Sequence, residues 1–117
     1  MEINIKYTEI EPSEAIKTYV NKKVGSLKKL VKGIERHKPE NEEVVQIWVE
    51  VGKTTRHHKE GKVWYAECQT RFPGMSFRAT STHYEMNQAI DEMAGKMEEL
   101  IKEYKDKQET LRKRDRT

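Results

Sequence analysis

Residues 16–33 read Ile16-Lys17-Thr18-Tyr19-Val20-Asn21-Lys22-Lys23-Val24-Gly25-Ser26-Leu27-Lys28-Lys29-Leu30-Val31-Lys32-Gly33. Ile16, Tyr19, Val20, Val24, Leu27, Leu30 and Val31 recur at three- and four-residue spacing, which at 100° per residue makes an apolar stripe roughly 140° wide on one side of a helix. Lys17, Lys22, Lys28, Lys29 and Lys32 spread over the opposite face. Lys23 alone intrudes on the stripe, where its stem can pack while its ammonium reaches water. Pro12-Ser13 opens this helix, and Gly33 is placed to close it. A helix with one apolar side must bury that side, so the flanking segments have to supply a partner.

Those segments read as strands. Upstream, Ile3, Ile5 and Tyr7 alternate with Glu2, Asn4 and Lys6, the pattern of a half-buried strand. Downstream, a polar loop over Glu35–Glu43 leads into Val44-Val45-Gln46-Ile47-Trp48-Val49-Glu50-Val51, rich in β-branched residues and bounded by Gly52. After a polar, basic loop over Gly52–Lys62, Val63–Arg71 predicts a third strand with Ala66 and Cys68 facing the core. Phe72-Pro73-Gly74-Met75 is a tight turn. Met75, Phe77 and Ala79 then alternate with Ser76, Arg78 and Thr80 as a fourth strand. Thr82-x-x-Glu85 has capping-box spacing and predicts a second helix from about His83. Its stripe is Met86, Ala89, Ile90, Met93, Met97, Leu100, Ile101, Tyr104 and Leu111. From Lys105 apolar residues thin out, which predicts a frayed helix or tail.

The expected architecture is therefore an α+β fold of order βαβββα: a two-layer domain with a four-stranded sheet and two helices on one face. The first crossover is right-handed and makes the first two strands parallel; the later strands form antiparallel hairpins. A domain over residues 1–107 is followed by a basic C-terminal tail over 108–117.

With 117 residues, 34% hydrophobic and 37% charged, the chain supports one domain with one modest core. That disfavours an enzyme with a deep dry cleft. No run approaches the ~18 consecutive apolar residues of a membrane span, and the N-terminus lacks the regions of a signal peptide. One cysteine, Cys68, cannot form an internal disulfide. These features predict a cytoplasmic protein with no membrane partner.

The basic charge is clustered although the net charge is only +3. Residues 15–34 hold six lysines and no acid, residues 53–59 hold Lys53, Arg56, His57, His58 and Lys59, and the C-terminus holds Arg112, Lys113, Arg114 and Arg116. Such clusters suit a polyanion, and they equally suit a solvated helix face whose lysines complement the C-terminal end of the helix dipole.

No catalytic set emerges. The six glycines form neither a phosphate-binding loop nor a dinucleotide fingerprint. Cys68 falls where a core side chain belongs. Adjacent histidines rarely serve one metal ion, so His57 and His58 read as phosphate donors or as solvated groups, and no metal, cofactor or small-molecule substrate is expected. Asp91 and Glu92 read as solvated. Trp48, Trp64 and Tyr65 could stack bases on an uncovered sheet face; packing is the default for them.

Met1-Glu2-Ile3-Asn4-Ile5, Ala15-Ile16-x-x-Tyr19-Val20-x-x-Lys23, Leu27-x-x-Leu30, and above all Glu85-Met86-Asn87-Gln88-Ala89-Ile90-Asp91 ahead of a lysine-bearing helix resemble the ribosome hibernation promoting factors. That family is also called ribosome-associated inhibitor A or the sigma-54 modulation proteins, and the resemblance covers about residues 1–107. It implies a domain related in shape to double-stranded RNA-binding domains, lying in the decoding groove of the small ribosomal subunit. There it contacts ribosomal RNA and excludes messenger RNA and transfer RNA from the A and P sites, with no bond made or broken. Carried over by position, Lys22, Lys23, Lys28 and Lys29 serve from the first helix, and Lys96, Lys102, Lys105 and Lys107 from the second. Lys17, Lys32, Arg56, His57, His58, Lys59, Arg78, Arg112, Lys113 and Arg114 complete the expected RNA-binding set.

Departures bear on this. The family's common Asp-Met-Tyr is Glu85-Met86-Asn87 here, and Glu98 and Glu99 weaken the basic face of the second helix. The resemblance is to the short form, expected to be monomeric off the ribosome, because the chain ends at Thr117 without a dimerisation domain. The alternatives are a general structured-RNA binder and a protein-interaction module whose lysines are merely solvated.

Overall fold

The computed structural model describes residues 1–35, 45–54 and 63–115. The elements are β1 (Glu2–Thr8), α1 (Glu14–Glu35), β2 (Gln46–Lys53), β3 (Trp64–Phe72), β4 (Met75–His83) and α2 (Met86–Asp115). The sheet has the order β1-β2-β3-β4, with β1 parallel to β2 and the remaining pairs antiparallel. This is the α+β fold expected from the sequence pattern, a mixed four-stranded sheet with two helices packed together.

Register explains the layers. Ile3, Ile47, Thr70 and Phe77 form one row across the sheet, Ile5, Val49, Cys68 and Ala79 the next, and Tyr7, Val51, Ala66 and Ser81 the third. All point to the helices, and most are buried. The residues between them, such as Asn4, Trp48, Gln69 and Arg78, form rows on the other face, which no helix among the described residues covers. The third and fourth strands carry small core residues, Ala66, Cys68, Thr70, Ala79 and Ser81, so α2 approaches β3 and β4 closely and fills the space with Ile90, Met93, Met97 and Ile101. α1 lies beside α2 and covers the sheet with Val20, Val24, Leu27, Val31 and Ile34.

Local chemistry sets the element ends. Ser13 caps α1, its Oγ accepting from the Ile16 amide at 3.2 Å. Pro73-Gly74 forms the two-residue turn between Phe72 and Met75, and Gly74 takes φ 79°, the left-handed value such a turn requires. Gly33 does not stop α1, which runs on to Glu35 because Ile34 is still buried in the core. Gly52 does not bound β2 either; it is paired with both Thr8 and Tyr65. The capping box at Thr82 does not form. β4 continues to His83 because Thr82 and His83 stay paired with Tyr65 and Trp64, and α2 begins at Met86 with the Ala89 amide bonded to the Glu85 carbonyl.

At the other end, Phe72, Phe77 and Tyr104 close the core as a ring cluster, with Phe72 stacked on Tyr104 at 4.9 Å and Phe77 edge-on to Tyr104 at 5.7 Å. Beyond Tyr104 the chain is still helical. The helix continues unbroken past residue 108 to Asp115, its 30 residues accounting for most of the molecule's 58 Å length. Leu111 is consequently 51% exposed rather than part of the packed stripe.

Two glycines test this packing. A Cβ at Gly52 would lie 2.3 Å from the Thr8 carbonyl oxygen of the neighbouring strand, whereas one at Gly33 meets nothing. Gly52→Ala should lower stability by about 1 to 3 kcal/mol. Gly33→Ala should raise it by about 0.5 to 1 kcal/mol, the ordinary gain for a helix interior. Denaturant midpoints at constant m-value measure both, and a destabilising Gly33→Ala would place the end of α1 at that residue after all.

Candidate nucleic-acid interface

The side chains expected to bind RNA divide by what already neutralises them. On α1, Lys17 pairs with Glu14 at 3.5 Å, and Lys23 pairs with Asp91 of α2 at 3.2 Å while lying 5.5 Å from the Tyr19 ring centroid. Lys22, Lys28, Lys29 and Lys32 have no carboxylate within ion-pair distance among the described residues. At 100° per residue Lys28 and Lys32 fall on the flank of α1 opposite Tyr19 and Lys23, and Lys22 and Lys29 on its outermost line. Lys28 and Lys32 therefore point away from α2 and Lys22 and Lys29 outward from the sheet, and the four form a continuous basic flank on the helix.

On α2 the pairing is heavier. Lys96 is held between Glu92 at 3.1 Å and the Thr80 carbonyl at 2.9 Å. Lys102 pairs with Glu98 at 2.8 Å, and that hydrogen bond and charge push the lysine's pKa up. Lys105, Lys107 and Lys113 have no such partner among the described residues. Arg112 and Arg114 belong to the last turns of the helix, and their side chains lie outside the described residues, as do Arg56, His57, His58 and Lys59 of the basic loop. Arg78 lines a shallow depression with Lys96 at the β4 edge. It sits on the face of the sheet away from the helices, paired with Glu67.

Two carboxylates that the sequence leaves solvated turn out to be engaged. Asp91 accepts from the Tyr19 hydroxyl and from Lys23, bracing α1 against α2. Burial pulls its pKa up, and the bonds from Tyr19 and Lys23 outweigh this and lower it. Glu92 ties α2 to β4, accepting from His83 Nε2, from Lys96 and from the Ser81 hydroxyl at 2.9 Å. Only the Glu92-Lys96 spacing of four residues announces any of this in the sequence. Cys68 is fully buried, and burial pushes its thiol to about 11, against any nucleophilic role. Among the described residues no group of His, Cys, Asp and Glu is placed to hold a metal ion, and no helix is long and apolar enough to cross a membrane.

A mixed sheet backed by two helices, one carrying an uncompensated lysine flank, defines a small α+β domain with a basic helix face. Residues 3–109 match the family described as Sigma 54 modulation protein / S30EA ribosomal protein, and the chain belongs to this family. Among solved structures it is similar to the N-terminal domain of Protein Y from Thermus thermophilus, at 23% identity and TM-score 0.63 over 89% of this chain and 99% of that one. It is also similar to a ribosomal subunit interface protein from Coxiella burnetii, at 19% identity and TM-score 0.61 over 90% and 98% of the two chains. Both are likenesses of fold. No curated protein sequence matches the chain.

The Glu92 network has a pH signature. Hydrogen bonds from His83, Lys96 and Ser81 hold the carboxyl at about 2, below its ordinary 4.5. A lowered folded-state pKa contributes stability that is complete above about 4.5 and is lost as the pH falls through about 2. Glu92→Gln should therefore melt below wild type at pH 7, with the gap closing as the pH is taken down through this window. An equal gap at both ends would show that the ionised carboxylate is not what joins α2 to β4.

Proposed function

We propose that this chain is a ribosome hibernation factor that lies in the decoding groove of the small subunit, grips ribosomal RNA with the lysine flank of α1, and sterically excludes messenger RNA and transfer RNA. Membership of a family described as including a ribosomal protein supports association with the ribosome. The observation that carries the RNA contact is the division among the lysines. Lys22, Lys28, Lys29 and Lys32 have no ion-pair partner among the described residues and share one side of a 22-residue helix, while Lys23, Lys96 and Lys102 are paired within the molecule. Lysine recognises phosphate as a point charge, without demanding a base sequence. A rigid helix presents those charges with little further ordering, so most of the Coulomb gain survives as binding.

α2 assists at Lys105, Lys107 and Lys113, which have no ion-pair partner among the described residues. Because the helix continues to Asp115, these cations are carried on helical backbone. Inhibition is then competition for space, and the protein forms and breaks no bond.

Replacing Lys22, Lys28, Lys29 and Lys32 with glutamine should flatten the log-log salt dependence of small-subunit binding by about three, since each released phosphate contact contributes about 0.7 to 0.9. Co-sedimentation through sucrose gradients at several salt concentrations measures the slope, and thermal melting confirms that the variant folds. Bound protein should also be displaced as messenger RNA and initiator transfer RNA are raised together. A normally folded variant with an unchanged slope would remove α1 from the interface. Equal affinity for unrelated duplex RNA would point to a general structured-RNA binder.

A further inference from the structure

The face of the sheet opposite the helices is polarised in a way the lysine flank does not explain. One row across it reads Asn4, Trp48, Gln69, Arg78, and the next reads Lys6, Glu50, Glu67, Thr80. Arg71 stands on the other side of the first row, with its guanidinium 5.9 Å from the Trp48 ring centroid. Two shallow depressions of about 420 and 150 Å³ adjoin here and share Trp48, Gln69 and Arg78 in their walls. Glu50 is fixed by hydroxyls, accepting from Thr8 at 3.1 Å and Tyr65 at 3.0 Å. Glu67 is fixed by Arg78, whose side chain is nevertheless 64% exposed.

A tryptophan in the middle of an uncovered sheet face, flanked by an amide and two guanidiniums, has a chemistry of its own. Its ring, or the guanidinium already lying over it, offers a flat surface to a planar ligand. The arginines offer planar donors that match a phosphate. One row away the carboxylates accept from exocyclic amino groups and repel anions. An acidic protein surface would face Glu50 and Glu67 unfavourably. Duplex RNA supplies no ring, because its bases are already stacked.

We infer that this face binds an unpaired nucleotide of single-stranded RNA. The base stacks at Trp48 with its amino group towards Glu50 and Glu67, and the flanking phosphates lie against Arg71 and Arg78. The site is on the opposite side of the molecule from α1, so one protein can hold two RNA segments at once. It does not depend on binding to the ribosome.

The test uses the full chain carrying glutamine at Lys22, Lys28, Lys29 and Lys32, so that the helix flank contributes little. Trp64→Phe leaves Trp48 as the reporting fluorophore. At low salt an adenosine hexanucleotide should quench Trp48 emission, and a duplex of the same length should not. Followed by anisotropy of a labelled oligonucleotide, Trp48→Leu should weaken binding about tenfold, the worth of one stacked base. In a separate variant, Arg71→Gln with Arg78→Gln, both at exposed positions, should flatten the salt slope by about 1.4. A uridine hexanucleotide, which has no amino group, should bind more weakly. Unchanged affinity in Trp48→Leu with normal melting, an unchanged slope in the double arginine variant, or equal binding of duplex and single strand would overturn the inference. Equal binding of adenosine and uridine would remove the role assigned to the carboxylates.

Discussion

Burial of one side of α1 is the constraint from which both the fold and its surface follow. Val20, Val24, Leu27, Val31 and Ile34 are all nearly inaccessible to water, and fully burying side chains of this size stabilises by about 1.5 to 3 kcal/mol each. The Ile3, Ile5, Ile47, Val49 and Val51 positions of β1 and β2 offer that stripe a matching apolar surface, and α2 closes it from the side. Once the stripe faces the sheet, 100° per residue sends Lys22, Lys28, Lys29 and Lys32 outward. The basic flank is therefore a geometric consequence of the same periodicity that builds the core.

The two helices solve different packing problems. Small side chains on β3 and β4 let α2 lie close, and long flexible ones, Met93 and Met97, fill what remains. α1 stands over bulkier strands and needs lateral support, which Tyr19, Lys23 and Asp91 supply at the helix pair. That bracket consumes the charge of Lys23, which the sequence resemblance assigned to RNA. Rigidity of the platform and availability of its cations are thus in competition at a single side chain, and at Lys23 rigidity prevails.

Element type and order were legible because each rests on a long periodic pattern: the stripe of α1, the β-branched run of β2, and the Pro-Gly turn of the last hairpin. Boundaries were not. Gly33, Gly52 and Thr82 each carry a local preference to end or start an element, and each was overridden by a tertiary gain: burial of Ile34, pairing of Gly52 with two strands, and continuation of β4 through His83. At the candidate interface, the outward lysines of α1 could be read from the wheel. Which lysines are already paired could not, since Lys23 finds Asp91 across 68 residues of chain, while Lys102 and Lys96 meet partners visible at four-residue spacing. Arg78 shows the same limit, because alternation places it off the core without saying which side the helices leave open.

Net charge is a poor guide to such a surface. With 23 basic and 20 acidic residues the protein is nearly neutral overall, yet its acids are not spread evenly against its bases. Asp91, Glu92 and Glu98 spend their charge on contacts made by α2, and Glu67 on Arg78. None of them reaches the outer flank of α1. Over a Debye length of about 8 Å at physiological salt, a ligand meets the local excess rather than the total. The lysine flank therefore presents a field that the composition conceals, and the acidic row at Glu50 and Glu67 gives the open sheet face a different one. One small domain consequently carries two chemically distinct surfaces: a flank of point charges on α1, and a polarised sheet face where an aromatic ring lies between guanidiniums and carboxylates.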